Sequence, residues 1–223
     1  MTGVAEGPGR WYRFTDRGDG DLAAGSVGVE RRRQEVVPLP WTWLRQHHGA
    51  EVVVVEGPGD HAGDDADAAV TAVAGLALAV QIADCAPVAL TGSTGSGDAA
   101  VGVVHAGWRG LIAGVVPAAV DAMRRLGVAE VRAVVGPCIH AECYPFGDAD
   151  LDVVAEALGG GVRARASDGR PAMDLVAGVR AALAGAEVDA CTEVGICTAC
   201  SWRHWSHRGG DVERQALVAS LHR

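Results

Sequence analysis

The sequence predicts an α+β protein in which mixed β-sheets are flanked by helices, arranged as a single compact domain over residues 1–223. Of the 223 residues 49% are hydrophobic and 21% are charged, which is typical of a globular chain long enough to bury a sizeable core. Short apolar runs of strand length are interspersed with longer segments of helical periodicity, and no repeat of 20 to 50 residues is present.

Five apolar runs bounded by glycine or polar residues have the length and composition of β-strands. They cover residues 51–56, 76–83, 86–90, 99–106 and 131–136. Turn-forming residues fill 91–98, so the runs on either side are expected to form an antiparallel hairpin. A turn centred on Gly95 pairs Leu90 with Ala100 and Cys85 with His105. A slip of one residue would place Cys85 and His105 on opposite faces, so the facing pair stays one of two alternatives.

Three segments are expected to be helical. Residues 111–127 carry apolar side chains at helical spacing and end in two arginines and a glycine, with a bend or restart expected at Pro117. Residues 148–161 begin with acidic side chains and end on glycines, and residues 173–185 carry one apolar stripe.

The charge and the apolar pattern exclude several classes of protein. The net charge is −9 at pH 7, and all 19 basic residues are arginine, which argues against a nucleic-acid partner. The first residues contain no apolar leader, and the longest apolar stretches are interrupted before they reach membrane-spanning length. These patterns predict a cytoplasmic protein with no membrane partner.

Six cysteines without a secretory signal are expected to be reduced thiols, available for metal binding or catalysis or simply buried as small hydrophobic side chains. Cys85 follows Asp84 at the edge of a predicted strand, and His105 ends another. Upstream, His47 and His48 are adjacent and point in different directions, so at most one is expected to join a given site.

The C-terminal set Cys197, Cys200, His204 and His207 has the spacing C-x2-C-x3-H-x2-H. The gap between the two pairs is far shorter than in a zinc finger, which argues against a structural zinc site formed by these four residues.

Residues 107–110 place Trp108 and Arg109 between two glycines, where a strand gives way to a helix. A planar guanidinium in such a turn suits phosphate or carboxylate, and this is the predicted phosphate site. The alternative is that Arg109 stacks on Trp108 at the surface.

Six motifs, in order along the chain, resemble the laccase-domain family. This family is also called the multicopper polyphenol oxidase or peptidoglycan editing factor family, and it is understood as zinc-dependent purine nucleoside phosphorylases. The motifs are QHHG (46–49), DADAAVT (65–71), ADCAPV (83–88), VHAGWRG (104–110), GPCIHAECYPFG (136–147) and CTACSWRHWSHR (197–208).

The resemblance implies a zinc ion held by His48, Cys85 and His105, a three-ligand set with an open fourth position, as in catalytic rather than structural sites. It implies phosphorolysis of adenosine, inosine or guanosine to the free base and ribose 1-phosphate, with adenosine deaminase and methylthioadenosine phosphorylase as side activities. Residues with an implied catalytic role are Cys85, His105, His48 and Arg109, and residues implied to bind substrate are Arg109, Cys138, Arg17 and Arg208.

Two other functions stay open. A copper-dependent polyphenol oxidase is disfavoured because the chain has 8 histidines and no His-x-His pair. A cysteine hydrolase would use Cys85 and His105 with Asp84. The sequence departs from the family in residues 22–35 and in GGDVERQAL (209–217), which leaves the preferred purine open. His140 stands where the family usually has a small residue, so its role is also open. A monomer or a small homo-oligomer is expected.

Overall fold

Two mixed β-sheets packed face to face form the frame of the molecule in a computed structural model that describes residues 3–4 and 9–222. The strands are β1 (Gly3–Val4), β2 (Arg10–Phe14), β3 (Trp41–Trp43), β4 (Val52–Val54), β5 (Ala68–Thr71), β6 (Ala77–Ile82), β7 (Ala86–Thr94), β8 (Ala99–Ala106), β9 (Val128–Val135), β10 (Arg163–Arg165), β11 (Pro171–Met173), β12 (Cys191–Glu193) and β13 (Gln215–Leu221). The α-helices are α1 (Val29–Val36), α2 (Trp108–Ala113), α3 (Val115–Arg125), α4 (Asp148–Leu158) and α5 (Leu175–Gly185).

The larger sheet has six strands in the order β12-β9-β7-β8-β5-β4, and the smaller has five in the order β1-β2-β13-β6-β3. The central strands β7 and β8 are buried on both faces, which explains their nearly continuous apolar sequence. Val88 and Leu90 face the helical layer, whereas Ala89, Val101 and Val103 face the second sheet. The α+β class and the single compact domain are confirmed.

The hairpin of β7 and β8 forms as predicted, but its register differs by two residues. Leu90 pairs with Gly102, and Pro87 pairs with His105. The turn is centred on Ser96 because the Thr94 N–H donates to the Asp98 carbonyl at 2.8 Å and Gly97 takes the left-handed conformation at φ +89°. The direct pairing of Cys85 with His105 is therefore wrong. A shift of two residues preserves the faces, so both side chains still point to the same side.

The predicted helix over 111–127 is two helices, α2 and α3, separated at Gly114 with φ +91°. Pro117 lies in the first turn of α3, where its missing N–H has no helical partner to lose, so the chain restarts at the glycine rather than at the proline. The other two predicted helices are confirmed as α4 and α5.

Of the smaller sheet, the strand pattern predicted β6 and missed β1, β2, β3 and β13. Its central strand β13 lies antiparallel to both β2 and β6, so the C-terminal strand joins the start of the chain to its middle. Helix α1 packs on the outer face of this sheet through Val29. Among residues 3–4 and 9–222, no helix has the length and apolarity needed to cross a bilayer.

Candidate metal centre

His48, Cys85 and His105 converge at one end of the sheets from three different parts of the chain. His48 lies in the loop between β3 and β4, Cys85 directly precedes β7, and His105 lies at the end of β8. Their possible ligand atoms all lie within 4.8 Å of one another. The Cys85 Sγ is 3.7 Å from the His48 Nε2, and the two imidazole centroids are 4.9 Å apart. The three predicted metal ligands are thus neighbours in space.

A buried carboxylate, Asp67, supports both histidines. Its Oδ1 is 2.7 Å from the His105 Nδ1, which leaves the Nε2 of His105 for the site. The same carboxylate accepts the backbone N–H groups of His47, His48 and Gly49 at 3.2, 3.0 and 2.8 Å. These bonds hold His48 at φ +61°, a conformation uncommon for a residue other than glycine. Carboxylates in this position fix the tautomer and orientation of metal-binding histidines.

Sequence reasoning assigned Asp67 no role, although the residue lies in the quoted DADAAVT motif. The signal that could have found it is a carboxylate placed directly before a fully buried strand, β5. Asp67 has 0% exposure, and a buried carboxylate needs several donors to offset its desolvation. Those donors are the backbone N–H groups of residues 47–49 and the ring of His105.

Asp84, the neighbour of Cys85, is a structural anchor rather than a partner of His105. Its carboxylate accepts the Thr198 Oγ1–H and the Arg208 backbone N–H, both at 2.7 Å. These bonds hold Asp84 at φ +92° and attach the C-terminal segment to the turn that carries Cys85. The predicted triad of Cys85, His105 and Asp84 is therefore wrong in its third member, since Asp67 occupies that position.

The pKa values of Cys85 and His105 are shifted in opposite directions by their mutual contact. Burial raises the pKa of the Cys85 thiol, but the positive charge of His105 and hydrogen bonds from His105 and His48 outweigh burial and lower that pKa to about 6. Burial lowers the pKa of His105, but the Cys85 charge and the Asp67 hydrogen bond raise it to about 9. The thiolate form of cysteine is the form that binds metals.

Gly107 leaves the space that a shared ion would need. A Cβ atom at this position would lie 2.5 Å from the His48 Cδ2 and 3.1 Å from the Cys85 Sγ. The backbone of Gly107 is extended, at φ −78°, so the absence of a side chain serves space and not an unusual conformation. Two imidazoles and a thiolate around such a space fit a borderline-soft cation such as zinc. The described residues therefore include a group that could bind a metal.

A cavity of about 400 Å³ adjoins this centre. His48 and His105 line this cavity together with Gln46 and Gln81. The Gln46 side chain donates to the Gln81 carbonyl at 2.7 Å and accepts the Gln81 backbone N–H at 2.8 Å. Ala24 and Arg214, which also line the cavity, come from the two segments that depart from the family pattern. Sequence divergence is thus located beside the metal centre.

A group of aromatic rings and arginines includes Tyr144, whose pKa is affected by the charge of Cys85. Trp108, Phe146 and Tyr144 form consecutive edge-to-face contacts with centroids 5.4 and 5.3 Å apart. The Arg208 guanidinium lies 5.2 Å from the Tyr144 centroid, and that of Arg109 lies 4.2 Å from Trp108. Burial and the negative charge of Cys85 raise the pKa of Tyr144, while Arg208 and Arg109 act in the opposite direction.

Two of the residues predicted to bind substrate, Cys138 and Arg17, make contacts within the protein instead. Cys138 has 0% exposure and lies in the core, so its thiol cannot contact a substrate in this conformation. Arg17 donates to the His204 carbonyl at 3.0 Å, pairs with Asp211 and stacks on Trp205 at 3.9 Å. These contacts hold the C-terminal loop against the start of the chain.

The four residues of the C-x2-C-x3-H-x2-H pattern do not form one site. His204 is buried, and its Nδ1 is 2.9 Å from the Ser201 Oγ. In the described part of the chain the two cysteines instead join Glu142 and Cys143. His140 lies beside this group, with its Nδ1 3.8 Å from the Glu142 Oε1.

Comparison with known families classifies the chain. Residues 23–221 match the family described as multi-copper polyphenol oxidoreductase laccase. The chain belongs to this family, and the resemblance carried by the six motifs is confirmed.

Relatives in this family carry a different name. A purine nucleoside phosphorylase of Streptomyces coelicolor is 42% identical over 191 residues, covering 84% of this chain and 74% of the relative. A purine nucleoside phosphorylase of Mycobacterium bovis is 35% identical over 215 residues, covering 92% and 82%. The relatives thus support an enzyme of the purine nucleoside phosphorylase kind.

Solved structures share the fold. A Neisseria meningitidis protein superposes with a TM-score of 0.81 at 27% identity, over 99% of each chain. The YfiH protein of Bacillus licheniformis superposes with a TM-score of 0.83 at 23% identity, also over 99% of each chain.

Proposed function

We propose that this protein is a zinc-dependent purine nucleoside phosphorylase that converts a purine nucleoside and inorganic phosphate into the free base and ribose 1-phosphate. The observation that carries the proposal is the convergence of His48, Cys85 and His105, with ligand atoms within 4.8 Å of one another and Asp67 behind them. Two imidazoles and one thiolate form the three-ligand set that catalytic zinc uses. The names of the relatives at 42% and 35% identity supply the reaction class.

Zinc in this site would act as a Lewis acid toward a substrate atom. The protein would hold the ligands in place for this role. The Asp67 carboxylate bonds to the ring of His105 and accepts the backbone N–H of His48. Gly107 has no side chain, so nothing at this position crowds His48 and Cys85. In the reaction the C1′–N9 bond breaks with its electrons passing to the purine, and a phosphate oxygen forms the new bond to C1′.

Arg109 and Arg208 are proposed to hold the phosphate. The Arg109 guanidinium lies 4.2 Å from the Trp108 centroid on an exposed residue, and a guanidinium can bind two phosphate oxygens at once. We expect Arg109→Gln to raise the KM for phosphate about tenfold, the size typical of a lost charged hydrogen bond, in initial-rate assays. Arg132→Gln, at an exposed strand position, is the matched control and is expected to leave that KM unchanged.

Tyr144 and Phe146 are proposed to contact the base. Tyr144 carries a phenolic O–H that can donate to a purine acceptor. Arg214 and Ala24 line the cavity on the histidine side, and their segments set the preferred purine in this proposal.

The deciding experiment is chromatographic detection of free base released from adenosine, inosine and guanosine. We expect release to need phosphate, to stop after chelation and to return with added zinc. Cys85→Ser should abolish it, whereas Cys191→Ser, away from the site, should not. Full activity of the metal-depleted protein would refute the proposal. If copper restored more activity than zinc, copper would be the metal of this site. Inosine formed from adenosine in the same assay would reveal the predicted deaminase activity, and methylthioadenosine can be tested as a substrate alongside.

A cysteine hydrolase is the second candidate, because Cys85, His105 and Asp67 have the order of a nucleophile, a base and an orienting carboxylate. His48 distinguishes the two functions, since its Nε2 lies 3.7 Å from the Cys85 Sγ and a hydrolase has no need of it there. A trapped acyl-enzyme on Cys85 would support the hydrolase.

A further inference from the structure

Three thiols and a carboxylate meet at a second place, outside the catalytic centre. Glu142 and Cys143 belong to the 3-10 turn Ala141–Cys143, and Cys197 and Cys200 belong to the C-terminal motif. Their possible ligand atoms lie within 4.8 Å of one another. The Cys143 Sγ is 3.2 Å from the Cys200 Sγ, which is 3.9 Å from the Glu142 Oε1. We call this group the thiol cluster.

Backbone donors surround one of these sulfurs. The His140 N–H donates to the Cys197 Sγ at 3.4 Å, and the amides of Ala199 and Cys200 also bond to it. Burial raises the pKa of the Cys197 thiol, and these N–H groups act in the opposite direction, toward the thiolate form that ligates metals. Two of the three donors follow Cys197 within the C-x2-C segment itself, so the local backbone is already folded around the sulfur.

We propose that the thiol cluster binds a structural zinc ion, separate from the ion of the catalytic centre, through Cys143, Cys197, Cys200 and Glu142. With Zn–S distances of about 2.3 Å, the ligands of a tetrahedral site lie about 3.8 Å apart. The observed separations of 3.2 and 3.9 Å lie on either side of this value. Three thiolates favour zinc over hard cations, and four protein ligands close the coordination shell as in structural sites.

A disulfide accounts for less of the geometry. It would join Cys143 to Cys200, but it would not explain the backbone donors at Cys197 or the position of the Glu142 carboxylate. The sequence pattern missed the site because it paired Cys197 and Cys200 with two histidines downstream. The residues that complete the cluster precede Cys200 by 58 and 57 positions.

The location gives this ion a consequence for the catalytic centre. Cys143 precedes Tyr144, one of the rings beside Cys85, and Cys197 precedes Thr198, which donates to Asp84 at 2.7 Å. Zinc in the thiol cluster would therefore join the two loops that border the catalytic centre. Its loss is expected to lower the melting temperature and raise the KM for nucleoside while the catalytic ion stays bound.

Elemental analysis of the purified, desalted chain, produced with zinc and under reducing conditions, tests the proposal. We expect two zinc ions per chain in the wild type and one in Cys200→Ser and in Cys143→Ser. His48→Ala should also retain one, and the combination of His48→Ala with Cys200→Ser should retain none. Cys191→Ser, a half-buried cysteine away from both sites, is the matched control and should keep two.

Thiol labelling supplies a second measurement that does not depend on the folding of a variant. In the wild type, Cys143 and Cys200 should resist alkylation until a chelator is added and should then react. One zinc per chain that is unaffected by Cys200→Ser, or a Cys143–Cys200 disulfide in non-reducing peptide maps, would overturn the proposal. Neither result would bear on the catalytic centre, because His48→Ala reports on that site independently.

Discussion

At the scale of single residues, Asp67 connects the two histidines of the candidate metal centre. One carboxylate oxygen is bound to the His105 ring, and the pair of oxygens together accept three consecutive amides from the loop that carries His48. An amide side chain could replace only part of this arrangement, because its NH2 group would face backbone N–H donors. The residue thus positions two of the three residues that could bind a metal without itself belonging to that group.

Asp67→Asn is expected to weaken zinc binding by about 10- to 100-fold, the range found for residues that orient metal ligands. The physical reason is the loss of acceptor capacity at both histidine segments. Competition titration against a chelating indicator measures the change. Asp65→Asn is the matched control, since Asp65 belongs to the same motif but is exposed and pairs with Arg45. Equal affinities for the two variants would contradict a positioning role for Asp67.

Cys85 in the metal-free protein is expected to react with iodoacetamide at neutral pH. Its pKa is lowered to about 6, so the thiolate predominates above that pH and the alkylation rate should rise with pH through a midpoint near it. Cys191, whose pKa is raised by burial and by the charge of Glu193, is the internal reference and should react only at higher pH. Peptide mass spectrometry follows both sites. Zinc should protect Cys85, and reactivity that zinc does not change would argue against ligation.

At the scale of elements, the junction between β8 and α2 brings His105 to the metal centre and leads directly into Trp108 and Arg109. Gly107 forms the junction, and Gly110 lets α2 approach the QHHG loop, since a Cβ there would lie 3.1 Å from the Gly49 carbonyl oxygen. The strand end and the helix start are therefore packed against the loop that carries His48.

Gly107→Ala is expected to lose metal binding and activity while the fold is retained. The added methyl group would crowd the His48 ring and the Cys85 sulfur, but the backbone at φ −78° accepts alanine. Metal analysis together with circular dichroism separates the two effects. Gly185→Ala, at the end of α5 with open space around it, should change neither and serves as the control. Normal zinc content in Gly107→Ala would show that the space beside Cys85 is not needed by the ion.

At the scale of the whole molecule, the packing of the two sheets decides stability. Tyr12 and Phe14 of β2 contact each other edge to face with centroids 5.7 Å apart in the core between the sheets. Gly136 follows β9 of the other sheet and lies directly against the Phe14 ring. Any side chain at this position would push the sheets apart or displace the ring.

Gly136→Ala is expected to lower the free energy of unfolding by about 1 to 3 kcal/mol, the usual cost of overpacking a core. Thermal or urea unfolding measures the change, and zinc content should stay that of the wild type in the folded fraction. Gly95→Ala, at the hairpin tip with no atom within 4 Å of the added methyl, is the control and should be nearly neutral. An unchanged melting temperature for Gly136→Ala would show that Phe14 can move freely.

Local sequence patterns correctly predicted some of the strands and helices. The apolar runs identified β7 and β8, and their alternation kept Cys85 and His105 on one side although the register differed by two residues. Helical spacing and terminal glycines identified α4 and α5. The motifs identified the family and the three converging residues that could bind a metal.

Contacts between distant residues were decided by the tertiary structure alone. The placement of β13 between β2 and β6, the position of Asp67 behind His48 and His105, and the meeting of Cys143 with Cys200 all join segments far apart in the chain. Side-chain periodicity reports which face of an element is apolar but not which element will cover it. By itself the sequence therefore determined the fold class, the buried central strands and two of the helices. The packing of the two sheets determined which side chains meet, because each apolar face must be covered by an element that the local pattern does not name.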